Sequence, residues 1–156
     1  MVDANPCFFL GKDFDAFGRI TMMDSNQFHA TCLDTFPPIF YMNDVSKGVI
    51  NLIHRYNDFC GEIRAAYTFD AGPNAVLYTL EKYQIEVLAL LLHCYPSDGN
   101  LSFVSNENLE SQARAYSLSQ KLLEISKNNV AAGGDVKMIY CTESGPGPQR
   151  LQDSEG

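Results

Sequence analysis

Ala66-Tyr67-Thr68-Phe69-Asp70-Ala71-Gly72-Pro73-Asn74-Ala75 sets a single carboxylate at the mouth of a strand, directly ahead of a sharp change of direction. Residues 63–69 are rich in β-compatible side chains and residues 75–80 resume the same character, so the block reads as a hairpin. Gly72-Pro73-Asn74 supplies a tight reversal, since glycine admits a positive φ and proline fixes φ and withdraws a backbone donor. A carboxylate at such a junction faces whatever lies above the sheet edge, among backbone N–H groups able to meet an anion. The spacing alone is equally compatible with Asp70 capping the turn through its own side chain.

Upstream, residues 12–34 carry Phe14, Phe17, Ile20, Met23, Phe28, Cys32 and Leu33 at roughly helical spacing, with Asp13 placed to cap the start. Asp24, Ser25 and Asn26 all favour caps and predict a break into two helices there. Pro37-Pro38 ends the segment. Asn43-Asp44 opens a second helix whose Val45, Val49, Ile50, Leu52, Ile53, Tyr56 and Phe59 recur at helical spacing, and Gly61 suits its C-terminal end. Beyond the hairpin, residues 81–92 read as a helix apolar on more than one face, and therefore well buried.

Residues 96–100 read as a loop, 109–127 as a surface amphipathic helix and 128–134 as a connector. Val136 to Cys141 reads as a last strand with mild alternation. Gly145-Pro146-Gly147-Pro148 breaks order, and residues 152–156 make a frayed tail. Helices first, then a hairpin, a helix and a strand predict an α+β fold. The 156 residues are expected to form one domain, with helices on one face of a mostly antiparallel sheet.

Composition narrows the function classes. A chain 46% hydrophobic and 19% charged folds around a core. A net charge of −8 argues against a nucleic-acid surface and against a polybasic membrane contact. An anionic substrate stays open, because a local basic pocket supplied elsewhere overrides global charge. The eleven Lys and Arg are unclustered, however, and are a thin supply for gripping phosphates unaided. Cys7, Cys32, Cys60, Cys94 and Cys141 form no CxxC pair, and His29, His54 and His93 form no HExxH arrangement, so no metal site is expected. Scattered, odd-numbered cysteines fit reduced thiols in a cytoplasm. The apolar run Cys7 to Leu10 is too short for a signal or a span, and no segment approaches about 18 uninterrupted apolar residues.

Several further side chains stand as candidates. Asp34 reads first as a helix-end or turn partner for backbone donors, and second as another carboxylate of the site. His29 reads as a buried, hydrogen-bonded histidine ahead of a catalytic one. Ser25 and Asn26 read as helix caps. Tyr41, Met42 and Asn43 line a cleft or pack as a loop on the core. Arg64 shares a strand face with Asp70 by alternation and would reach it only at long range.

The block Asp24-Ser25-Asn26-Gln27-Phe28-His29-Ala30-Thr31-Cys32-Leu33-Asp34-Thr35-Phe36-Pro37-Pro38-Ile39 closely resembles the C-terminal domain of the diphosphomevalonate decarboxylase family. Asp70-Ala71-Gly72-Pro73-Asn74-Ala75 is similar to that family's signature, and a third likeness is the strand running into Gly145-Pro146-Gly147-Pro148-Gln149. Three separated motifs in order are far more specific than any one of them. The likeness is weakest over residues 97–131, which read as a variable insertion.

The resemblance implies a GHMP kinase C-terminal-like domain. It implies ATP-dependent decarboxylation of mevalonate 5-diphosphate to isopentenyl diphosphate, a step of the mevalonate pathway towards isoprenoids and sterols. Asp70 matches the family's catalytic aspartate, with Gly72, Pro73 and Asn74 shaping the turn around it; substrate-binding residues of this chain are not identified. ATP and Mg2+ are implied through an N-terminal domain, and a cytoplasmic homodimer is implied for the full-length protein. That N-terminal domain carries the family's phosphate-binding loop, its Lys-Tyr pair and its catalytic Arg, and nothing in residues 1–156 matches them. The expectation is therefore a C-terminal fragment, inactive alone, whose face towards the absent domain exposes apolar surface. Two other readings stand beside it: a non-catalytic dimerisation or binding module, and the C-terminal half of another GHMP-family kinase. Against the latter, such kinases place a Gly-rich stretch where Asp70 and Pro73 stand here.

Overall fold

Asp13 accepts the Ala16 N–H through its side chain at 3.1 Å and starts α1 (Phe14–Leu33), the longest element. The computed structural model describes residues 13–99, 103–143 and 145. Cys7, the apolar run at 7–10, the Gly-Pro repeat after Gly145 and the expected tail at 152–156 lie outside the described residues. Asn43 caps α2 (Asp44–Cys60) in a reciprocal capping box with Ser46, and Gly61 closes that helix at φ 70°, a conformation glycine adopts without penalty. Both ends of α2 therefore follow the sequence expectation.

The hairpin pairs β1 (Ala65–Thr68) with β2 (Val76–Thr79) antiparallel, from Ala65 opposite Thr79 to Thr68 opposite Val76. α3 (Glu81–Cys94) follows. It sends Val87, Leu90 and Cys94 into a core shared with α1, α2 and β1, and Leu88 and Ala89 into a second cluster with Phe103, Val104 and Ala113. That burial on several faces matches its all-round apolar pattern. The fold is α+β: five α-helices and a two-stranded antiparallel sheet among the described residues.

Four expectations are corrected. α1 runs unbroken through Asp24-Ser25-Asn26, because Ser25 and Asn26 spend their polar groups on the neighbouring strand rather than on their own backbone. The buried face of α1 is not the aromatic stripe: Gly18, Met22, Ser25, His29 and Cys32 turn inward, while Met23, Phe28 and Leu33 are exposed. Gly18 sets that phase, since even a methyl group there would sit 2.6 Å from Ile63 Cγ2 and 3.2 Å from Ala66 Cβ.

Residues 109–127 are not one helix but α4 (Glu107–Ala115) and α5 (Gln120–Ser126), divided where Ser119 caps α5 by accepting the Leu122 N–H. A short 3-10 turn, Lys127–Asn129, follows. Finally, residues 136–141 form no extended strand. Ile139 makes a single parallel bridge to Val104, its N–H bonded to Phe103 O at 2.8 Å and its carbonyl to Ser105 N at 2.9 Å. Residues 97–131, read as an insertion, supply Phe103, Ala113 and Leu122 to the interior.

Candidate functional site

Asp70 is exposed, two residues past the last ladder pair of β1. It borders an open concavity of about 430 Å³ whose other walls are Asp24, Ser25, Gln27, Phe28 and Thr31 of α1, with Thr68 and Phe69 of the strand. Asp24, Gln27, Phe28 and Thr31 recur at i, i+3, i+4 and i+7, one face of a helix. Among these lining residues there are two carboxylates and no Lys or Arg.

The backbone leading into Asp70 is held by α1. Phe69 lies beyond the Thr68–Val76 pair, so no partner strand satisfies its polar groups. Its N–H donates to Ser25 Oγ at 3.0 Å, and its carbonyl accepts from His29 Nε2 at 3.3 Å and, more weakly, from Ser25 Oγ at 3.5 Å. A carbonyl only accepts, so the His29 ring must carry its proton on Nε2 in this arrangement. The ring packs edge-on against Phe28, Tyr41 and Phe69.

Two residues back, the fully buried Tyr67 hydroxyl donates to Asn26 Oδ1 at 3.1 Å and lies 3.0 Å from His54 Nε2 on α2. Burial pushes that phenol above its ordinary value, against the lowering effect of the Asn26 hydrogen bond. On the far side of Asp70, Pro73 O accepts from Ser46 Oγ at 3.0 Å. Between these anchors the Gly72 N–H folds back onto Asp70 O at 2.7 Å, a three-residue turn.

The reversal is thus looser than the tight turn expected, with the loop spanning residues 69–75 between the strands. Gly72 is not in the left-handed region, where Gly61, Gly99 and Gly134 lie, and a Cβ at Gly72 would meet nothing within 4 Å. Its freedom is not what bends the chain here. Pro73 and Asn74 are exposed beside it.

The other candidates separate. Asp34 is the C-cap of α1, its backbone N–H bonded to Ala30 O, and it does not line the concavity. Tyr41 stacks on Phe28 with ring centroids 6.2 Å apart, Met42 packs on the core and Asn43 is committed to capping α2. Arg64 is turned away from Asp70: it bonds Glu62 at 2.8 Å and Glu86 at 3.4 Å and lies over the Tyr83 ring at 4.4 Å.

His29 is buried and hydrogen-bonded, as expected; sequence reasoning missed its partner, the pinning role of Ser25, Asn26 and Ser46, and the wall formed by Asp24, Gln27 and Thr31. The i, i+3, i+4, i+7 spacing of that wall was the available signal. Among the described residues no three His, Cys, Asp or Glu side chains stand together as a metal site, and no helix is long and apolar enough to cross a membrane.

Residues 5–151 match the family described as the mevalonate 5-diphosphate decarboxylase C-terminal domain. The diphosphomevalonate decarboxylase of Rattus norvegicus is 47% identical over 142 residues, 91% of this chain and 34% of the relative. That of Homo sapiens is 47% identical over 143 residues, with the same shares. That of Saccharomyces cerevisiae is 42% identical over 147 residues, 92% of this chain and 36% of the relative. Among solved structures, mevalonate diphosphate decarboxylase from Trypanosoma brucei superposes with a TM-score of 0.75 at 26% identity, over 96% of this chain and 39% of that one. The chain spans about a third of the length of the curated relatives it matches.

Proposed function

This chain belongs to the mevalonate 5-diphosphate decarboxylase C-terminal domain family, and from that premise we propose that it supplies the carboxylate half of an ATP-dependent decarboxylase acting on mevalonate 5-diphosphate. In this reading Asp70 stands beside the tertiary 3-hydroxyl and accepts its hydrogen bond. The hydroxyl oxygen attacks the γ-phosphorus of ATP, the bond to ADP breaks and the hydroxyl proton, hydrogen-bonded to Asp70, passes to solvent. Loss of phosphate then builds positive charge at the tertiary carbon. The electrons of the breaking bond to the carboxylate quench that charge as the new double bond, releasing carbon dioxide and isopentenyl diphosphate. An aspartate is a feeble base for an alcohol, so its work is orientation and stabilisation of the cationic centre.

One observation carries the proposal: an exposed carboxylate at the end of a backbone pinned from both sides, bordering a concavity with no basic lining residue. Such a surface repels the diphosphate and the nucleotide unless cations face it from elsewhere. The proposal therefore assigns the phosphate-gripping groups, and any Mg2+, to the part of the relatives' length that this chain does not span. The residues described here do not fit a metal by themselves, and no step of this reading runs through one.

A cytoplasmic setting and a homodimer belong to the same proposal. The free thiols of Cys32, Cys60, Cys94 and Cys141 are in keeping with the first. The exposed Phe36 and Phe40 rings offer apolar surface for a contact.

The test mixes this chain with a separately produced N-terminal two-thirds of the rat relative and measures ATP-dependent release of carbon dioxide. The expected result is activity from the mixture, from neither part alone, and a drop of about 100- to 10,000-fold in kcat for Asp70→Asn. Equal activity of Asp70→Asn and the parent would sink the assignment. No activity together with a tight dimer by size-exclusion would favour the dimerisation module instead.

A further inference from the structure

We propose that Ser25, His29 and Ser46 are positioning residues that together fix the Asp70 loop. This rests on the reading of Asp70 as the group beside the reacting hydroxyl. All three are buried, at 2%, 5% and 1% exposure, on helix faces where an apolar side chain would pack without any need for a partner. Each sets its polar atom against loop backbone; Ser46 Oγ divides its hydroxyl between Pro73 O at 3.0 Å and Asn43 Oδ1 at 3.1 Å. Ser25 Oγ and His29 Nε2 hold the N–H and carbonyl of Phe69, the residue directly before Asp70. Ser46 Oγ holds the carbonyl of Pro73, three residues after it.

Ser46 is itself locked: its N–H donates to Asn43 Oδ1 at 2.9 Å, and the Asn43 N–H donates to its hydroxyl at 3.3 Å. Two helices thus grip both flanks of one carboxylate, and among the described residues the Gly72 N–H to Asp70 O bond ties the stretch between them. Contacts made to the loop's backbone fix where it sits, whatever side chain the loop displays. A carboxylate that acts by orientation depends on such a grip, because displacement by about 1 Å is enough to lower a rate roughly 100-fold.

The test has two arms. In the 156-residue chain alone, amide exchange followed by NMR should show the Phe69 amide opening about tenfold faster in Ser25→Ala, the loss of one neutral hydrogen bond, with amides in α3 unchanged. In the reconstituted mixture, Ser25→Ala and Ser46→Ala should each lower kcat about 10- to 100-fold while KM for mevalonate 5-diphosphate stays within about twofold. His29→Phe keeps the ring packing and loses the donor, so kcat falls. His29→Gln restores an N–H near Nε2 and recovers most of the rate.

Unchanged kcat in Ser25→Ala and Ser46→Ala, with Asp70→Asn inactive, overturns the proposal and leaves the role of Asp70 standing. If Asp70→Asn is itself harmless, or the mixture is inactive, that reading falls instead. The exchange arm still decides the grip, because undisturbed protection of Phe69 in Ser25→Ala refutes it. Should Ser25→Ala fail to fold, Ser46→Ala carries both arms from the other flank, with the Gly72 amide, bonded to Asp70 O at 2.7 Å, as its exchange probe.

Discussion

Asn57→Ala should be the most damaging single polar substitution in this chain that touches neither the concavity nor a cap. Asn57 is 7% exposed on α2, and its amide makes three bonds to Ala65 of β1 and to Arg64 directly before it. Nδ2 donates to Ala65 O at 2.8 Å, and Oδ1 accepts from Arg64 N at 2.9 Å and from Ala65 N at 3.2 Å. In an antiparallel ladder, alternate residues present both backbone groups to the side away from their partner strand. Asn57 therefore stands where a third strand would otherwise pair with Ala65.

Removing its amide deletes three hydrogen bonds, each contributing about 1 kcal/mol net, and orphans three backbone groups. Three bonds at that net value give a total of about 3 kcal/mol. For a chain of this size that is a fall in Tm of about 6–12 °C. Calorimetry on the 156-residue chain and its Asn57→Ala variant measures it. A fall below about 2 °C would refute the reasoning, because β1 would then be held by its apolar contacts alone.

Asp15 gives a pH signature. Its Oδ1 accepts the Ile63 N–H at 3.0 Å, and that backbone bond, ahead of the Arg19 contact, holds its carboxyl below the ordinary 3.8. A depressed carboxylate stabilises the fold above its unfolded value and loses that contribution as pH falls through the folded one. Denaturant melts below about pH 4 should therefore show a shallower loss of stability in Asp15→Asn than in the parent; parallel curves would refute this. Gly72→Ala should leave Tm within about 2 °C of the parent, since the added methyl meets nothing and φ is ordinary. Gly18→Ala should lower Tm despite a gain of about 1 kcal/mol in helix propensity, because the methyl drives into Ile63 and Ala66 and overpacking costs about 1–3 kcal/mol. A rise in Tm for Gly18→Ala would show that α1 and β1 separate freely.

The parts legible in the sequence were those written in local chemistry. Asp13, Asn43 and Gly61 announced helix ends because capping is decided within a few residues. The strands on either side of Asp70 were legible from their β-branched and aromatic residues. The apolar faces of α3 showed that it would be enclosed. What failed was whatever depended on a partner far along the chain. Ser25 and Asn26 looked like helix breakers because nothing nearby reveals that Phe69 and Tyr67 will occupy them. The inward face of α1 escaped notice because it is marked by a glycine, a serine and a histidine rather than by aromatics. Residues 136–141 alternate as a strand would, yet alternation says nothing about how many neighbours will pair, and only Val104 does. At the site, Asp70 was visible through its motif, whereas the groups that hold it were scattered over two helices and looked like ordinary caps and core.

The treatment of Arg64 shows how the fold keeps that carboxylate available. Arg64 is the basic residue nearest to Asp70 along the strand, and an ion pair between them would tie up the acceptor lone pairs. Instead the backbone carries the two apart by up to about 20 Å at roughly 3.3 Å per residue, more than twice the distance of about 8 Å over which exposed charges sense each other at physiological salt. Glu62, Glu86 and the Tyr83 ring then hold the guanidinium at its own end. Tyr56 and Tyr116 donate to the same Glu86 at 2.6 and 2.8 Å, so this anchor is itself bound to α2 and to the residue that closes α4. Among the described residues no ion pair reaches Asp70. The acidic concavity is thus a built arrangement: the fold pairs Arg64 with Glu62 and Glu86, fixes the backbone on both sides of Asp70, and lines the concavity with no Lys or Arg.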